Sequence, residues 1–191
     1  MVYPIVAYGS PMLKRRAKNV ECPSAELTAF AASMFETMYA SKGVGLAAPQ
    51  IGFSTRVFVV DGSPFADDPD NAEDAEVLKS FKKIFINAEI LEESGEEWGF
   101  EEGCLSIPDL HEAVVRRETL RIKYQDLDGQ WHEETHTGVP ARIIQHEYDH
   151  IEGILFTDRL SPLKKRLIQG RLKDIAAGKV TANYRMKFNV V

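Results

Sequence analysis

The chain of 191 residues suits one domain spanning 1–191 with a sizeable core, and its 44% hydrophobic and 27% charged residues are ordinary for a soluble globular protein. A net charge of −6 argues against a general nucleic-acid binder, and no run approaches the ~20 apolar residues needed to cross a bilayer. The opening Met1 to Ser10 holds neither a basic leader nor a secretory apolar run, and Cys22 and Cys104 are too few for a disulfide framework, so a cytoplasmic setting is expected.

In chain order, a helix is expected from about Ser24 to Ser41. Ser24 after Pro23 suits an N-cap, and Leu27, Phe30, Ala31, Met34, Phe35 and Met38 recur at helical spacing. Gly43 suits its C-terminal stop. The small residues of Gly43-Val44-Gly45-Leu46-Ala47-Ala48-Pro49-Gln50-Ile51-Gly52 imply a backbone that approaches something closely, yet neither a P-loop nor a G-x-G-x-x-G pattern is present. Thr55 to Val60 reads as a buried strand. Asp61 to Ser80 holds seven acids, two prolines and Lys79 as its one base, and reads as an exposed, mobile acidic loop without chemistry.

Strands resume at Lys83–Asn87 and near Ile90-Leu91, and a Gly-bearing acidic stretch leads into Glu101–Pro108. Two more are expected at Ala113–Tyr124 and Trp131–Thr137, joined by the Asp-Gly turn of Asp126-Leu127-Asp128-Gly129. Gly138 and Pro140 open a helix that ends at Gly153. Ser161-Pro162 opens another, over about 162–177, with Leu163, Leu167, Leu172 and Ile175 inward. From Pro162 onward eight Lys or Arg stand against Asp174 alone, giving +7 and leaving −13 elsewhere, an asymmetry that points to a local partner for the basic end. Residues 178–191 read as an extended tail. Short antiparallel strands with one helix before them and two after define an α+β chain.

Chemistry concentrates in Gln145-His146-Glu147-Tyr148-Asp149-His150. On a helix, His146 and His150 lie one turn apart on one face and can reach one metal ion, with Glu147 placed to handle the protons of a bound water. A catalytic site of this kind needs a third ligand. The H-E-x-x-H-x-x-G-x-x-H continuation fails, because Gly153 fits but Phe156 cannot ligate. Among the remaining residues Asp158 downstream and Cys104 upstream are both candidates. The first implies a general metallopeptidase, and a closed structural metal site is a further alternative.

Three stretches together resemble the peptide deformylases. Gly43 to Gln50 is similar to their G-x-G-x-A-A-x-Q box, Glu102-Gly103-Cys104-Leu105-Ser106 to their E-G-C-L-S box, and Gln145 to His150 to their Q-H-E-x-D-H box, in the family's order. The resemblance implies a fold of antiparallel sheets around a central metal-binding helix, with an N-terminal and a C-terminal helix. It implies removal of the formyl group from the formyl-Met of newly made proteins. Cys104, His146 and His150 would bind one divalent ion, Fe(II) physiologically, with Zn, Ni or Co able to substitute, and a water at the fourth site. Glu147 would serve as general base and acid, and Gln50 with the Leu105 backbone N–H as oxyanion donors. The resemblance also pairs Glu102 with Arg116. Gly45 and Gly103 are expected beside the substrate. The helical face that carries Val139 and Ile143, with Val44, is expected to form an apolar pocket for the methionine side chain. Basic residues Lys164, Lys165, Arg166, Arg171 and Lys173 suit docking on the ribosome; no membrane or free nucleic acid is expected as a partner.

Overall fold

The computed structural model describes residues 1–188; the last three residues of the expected tail lie outside the described residues. In chain order the elements are β1 (Ile5–Val6), α1 (Ala25–Ala40), β2 (Gly45–Ala47), β3 (Val57–Asp61), α2 (Ala75–Ser80), β4 (Lys82–Cys104), β5 (Ile107–Gln125), β6 (Trp131–Thr137), α3 (Gly138–Glu152), α4 (Pro162–Ala176) and β7 (Met186–Lys187). Strands β2-β3-β4-β5-β6 form one antiparallel sheet in that order. The expected α+β class holds. The small second sheet differs from expectation in being parallel: β1 pairs with β7, Ile5 opposite Met186.

The sheet is sandwiched, and its alternation shows how. Successive side chains of a strand point to opposite faces. Along β3, Phe58 and Val60 join Phe85, Leu120 and Ile122 against Val139, Ile143 and Ile144 of α3. Val57 and Val59 join Leu46 and Ile86 against Leu27, Met34 and Met38 of α1. Burial on both faces is why this strand reads as one apolar run rather than alternating. A third cluster gathers Ile107, Val114, Leu155 and Phe156 under Ile168, Leu172 and Ile175 of α4.

Several expectations need correction. The Ser24 hydroxyl caps α1 by accepting from Leu27 N at 3.1 Å, as expected, but Lys42 (φ 58°) rather than Gly43 takes the left-handed position after it. The acidic stretch after Ile90 is no connector. It continues β4 without a break, and β4 and β5 make one long hairpin turning at Leu105-Ser106. In α4, Leu163 and Leu167 are 67% and 74% exposed, and the inward stripe is Ile168, Leu172 and Ile175.

The segment 61–80 is also folded rather than a loose loop. It makes short 3-10 turns at Ser63–Phe65 and Pro69–Asn71 and then α2, with Ala66, Asn71 and Leu78 buried. Its acids are not idle. Asp74 Oδ2 accepts from Val139 N at 2.7 Å, taking an N-terminal N–H of α3 that Thr137, at the N-cap, does not satisfy. Gly138 (φ +63°) is required there twice over, since a Cβ would stand 2.4 Å from that same carboxylate oxygen.

Candidate active site

α3 carries the centre of the site, and its neighbours set the geometry. His146 and His150 rise from one face as the spacing requires. Cys104 ends β4 just where the hairpin register slips: Gly103 stands opposite His111, but Cys104 opposite Ile107. Such an irregularity re-aims a side chain, here toward α3. The thiol lies 3.3 Å from His150 Nε2, and donor atoms of Cys104, His146 and His150 all fall within 4.8 Å of one another. Asp158 is elsewhere: it accepts from Leu155 N at 2.7 Å and pairs with Lys14.

The donor chemistry fits a metal ion. His146 Nδ1 faces Glu102 Oε2 at 2.9 Å. A carboxylate accepts, so Nδ1 carries a proton toward Glu102, the arrangement by which outer carboxylates orient metal-ligating histidines. Burial would lower the His146 pKa, but hydrogen bonds to Cys104 and Glu102 raise it well above its ordinary value in the metal-free site, so an ion would take Nε2 in exchange for its proton. Burial pushes His150 well below its ordinary pKa, so its ring is neutral and able to ligate. A thiol and two imidazoles collected in this way suit Zn, Fe(II), Co or Ni.

Behind these three donors lies a buried ionic network. Arg116 grips Glu102 bidentately at 2.7 and 2.9 Å, and both residues are 5% or less exposed. Arg116 also reaches Asp149 Oδ2 at 2.7 Å, and Arg159 closes on the same carboxylate. Arg142 donates to Glu102 Oε1 at 3.0 Å and to the carbonyls of Val114 and Trp98, its guanidinium 4.6 Å from the centre of the Trp98 ring. Burial alone would raise the Glu102 pKa, but hydrogen bonds from Arg116 and His146 hold its carboxyl well below the usual range. Arg142 and Asp149 escaped the sequence reading of the site. A charged residue inside the apolar run Val139 to Ile144 was the available cue for Arg142.

Glu147 is different in kind. It is buried, its Oε2 has no hydrogen-bond partner among the described residues, and burial pushes its pKa up to about 7. Room for it comes from Gly45, where a Cβ would stand 2.3 Å from Glu147 Oε1. Gly103 likewise makes room for the His111 ring at 2.5 Å. Both glycines also line the cleft, but their missing Cβ atoms serve the protein's own side chains first. Gln50 is held by its carbonyl oxygen, which accepts from Ala47 N at 2.8 Å. That leaves its NH₂ group to face Cys104 Sγ at 3.4 Å.

These groups open on a cleft of about 1490 Å³. Val44, Val139 and Ile143 line it beside His146 and Glu147, and Leu105 lines it beside Cys104. Two walls were not anticipated: Phe65 and Asp68 to Asp74 from the acidic segment, and Thr181 to Tyr184 from the tail.

Two imidazoles, a thiol and a buried carboxyl beside an open cleft define a hydrolase centre of the metal-dependent kind. The family model described as Polypeptide deformylase matches residues 2–166. The chain is 51% identical to the peptide deformylase of Christiangramia forsetii, over 98% of this chain and 96% of that protein, and 53% identical to that of Flavobacterium johnsoniae over the same shares. Among solved structures, a peptide deformylase from Legionella pneumophila superposes with a TM-score of 0.78 at 37% identity, covering 94% of this chain and 98% of that one. The chain therefore belongs to the polypeptide deformylase family, hydrolases that remove the N-formyl group from nascent peptides.

Proposed function

We propose that the chain works as one catalytic domain releasing formate from formyl-Met N-termini, with Cys104, His146 and His150 holding the ion and Glu147 carrying the proton. The observation that supports this most is the partnerless Glu147 oxygen beside the three donors at the cleft. When bound, the ion supplies Lewis acidity, drawing the pKa of a water toward about 7 and polarising a carbonyl. Glu147 takes a proton from the attacking water and returns it to the departing amine as the C–N bond breaks, leaving formate and a free methionine amine. The test is formate release from formyl-Met peptides by anaerobically prepared protein; no release would sink the proposal.

Negative charge gathers on the formyl oxygen during attack, and neutral donors stabilise it best when already aimed. Gln50 and the Leu105 N–H are assigned that role. Because Ala47 fixes the Gln50 amide, its NH₂ need not reorganise. Gln50→Ala is expected to keep its metal and lose roughly 10²–10³ in kcat, about 2.7–4 kcal/mol of barrier. Unchanged turnover would remove Gln50 from the mechanism.

Val44 and Ile143 are assigned to the methionine side chain, with Gly45 and Gly103 alongside the peptide. Ile143→Asp is expected to erase the preference for methionine over polar first residues. Fe(II) is the proposed physiological ion, on the resemblance alone; the donor set admits it without selecting it. Metal analysis of anaerobically purified protein decides it, and full activity with zinc alone would overturn it.

The compartment proposed is the cytoplasm, where nascent chains emerge; among the described residues no helix is long and apolar enough to cross a membrane. Docking of α4 on the ribosome is proposed from its basic residues. Lys164 is paired with Glu112, and Arg171 lies near Asp109, so Arg166 and Lys173 are the ones to reverse. Co-sedimentation with ribosomes that is unmoved by that reversal and by salt would exclude docking through this helix.

A further inference from the structure

The chain after α4 returns to the active site, although nothing in its sequence marks it as functional. Thr181 to Tyr184 form a wall of the cleft, and the strand that follows locks this wall in place: Ile5 N donates to Arg185 O at 2.8 Å and Ala7 N to Lys187 O at 3.0 Å. Tyr184, held at that point, donates its hydroxyl to Leu105 O at 2.8 Å across the site. The next carbonyl, Ser106 O, accepts from Tyr8 N at 2.8 Å. Both carbonyls of the tight turn after Cys104 are thus tied to the two terminal segments of the chain. The Leu105 side chain is confined as well, lying 2.9 Å from where a Cβ on Gly43 would be.

We infer that the Tyr184 hydroxyl is a positioning group for the reaction: it anchors the Leu105–Ser106 peptide and so, through the Leu105 Cα, limits rotation of the preceding Cys104–Leu105 peptide, whose N–H stays aimed at the formyl oxygen. The inference rests on the oxyanion role proposed above for that N–H. Two neighbouring features isolate the hydroxyl as the working part. Tyr184 and Leu105 each pack against the α1-side cluster, and Tyr184→Phe would keep that packing while deleting a single oxygen. The turn itself has no other tether on its first carbonyl among the hydrogen bonds of the described residues. A donor free to swing must be re-aimed in each turnover, and the loss appears in the chemical step rather than in substrate capture.

The test compares metal-loaded wild type with Tyr184→Phe and Tyr184→Ala. Tyr184→Phe is expected to lower kcat by roughly three- to tenfold, the worth of one hydrogen bond, with KM within about twofold, metal content unchanged and the melting temperature lowered by no more than about 2–4 °C. Amide hydrogen exchange over Gly103 to Ile107 is expected to quicken in the same variant. Full kcat in Tyr184→Phe alongside a loss in Tyr184→Ala would show that the ring acts by packing alone and overturn the inference. So would unchanged exchange over the turn, which reads out even if formate release is absent. Formate release by the wild type tests the functional proposal itself, so failure there is distinct from failure of the Tyr184 comparison.

Discussion

Glu147→Gln is expected to lower formate release by roughly 10²- to 10⁴-fold while the protein stays folded and keeps its metal. Gln preserves the shape that Gly45 was cleared to admit but cannot take a proton from water. The same substitution should raise stability in the metal-free protein, because the site holds a carboxyl where the fold would do better without its charge. With a folded pKa of about 7 against an ordinary 4.5, the native state binds more protons than the unfolded one between those values. Stability therefore falls as pH rises through that window and levels off above it. Gln has no such dependence. Thermal melts of the metal-free pair should nearly coincide near pH 4.5 and separate in favour of Glu147→Gln toward pH 7. A variant with wild-type turnover would exclude Glu147 as the proton carrier, and one that melts lower at pH 7 would show that the buried carboxyl carries no such cost.

What the sequence made legible follows from how local each signal is. His146, Glu147 and His150 lie within two turns of one helix, so their spacing alone places them together, and the caps at Ser24 and Ser161 are equally local. Cys104 needed the resemblance, because the register slip that aims it is a property of strand pairing. The same holds for the acidic half of β4. Glu92 and Glu97 look like solvated loop in isolation, but they pair across the sheet with Arg121 and Arg117, and opposite charges facing each other favour the ladder. In α4 two helical stripes compete, Leu163 with Leu167 and Ile168 with Leu172 and Ile175. Periodicity cannot choose between them without knowing where the hairpin lies. Asp74 and Tyr184 act on residues far away in sequence, and no local pattern announces either contact.

Arg116→Met is expected to cost about 3 kcal/mol of stability, at the lower end of the 3–5 kcal/mol typical when one partner of a buried ion pair is removed. The deletion strands Glu102 and Asp149, both nearly inaccessible to water. The loss stays at the lower end because each keeps one arginine: Arg142 at 3.0 Å for Glu102 and Arg159 for Asp149. The contrast is Arg121→Met, whose partners Glu133 and Glu92 are both about half exposed. Each of those pairs is worth about 0–1 kcal/mol, since water screens it and would solvate either charge once freed. Urea unfolding of the metal-free variants reads both, as a shift of midpoint at unchanged slope. The network should also be felt at the ligands. Arg116 holds Glu102 in place and ionised, and Glu102 holds the proton on His146 Nδ1, so chelator competition should find metal affinity lowered by roughly 10- to 100-fold in Arg116→Met. A loss below 1 kcal/mol with unchanged affinity would mean that Arg142 alone orients Glu102, and that the bidentate grip of Arg116 contributes little to the metal site.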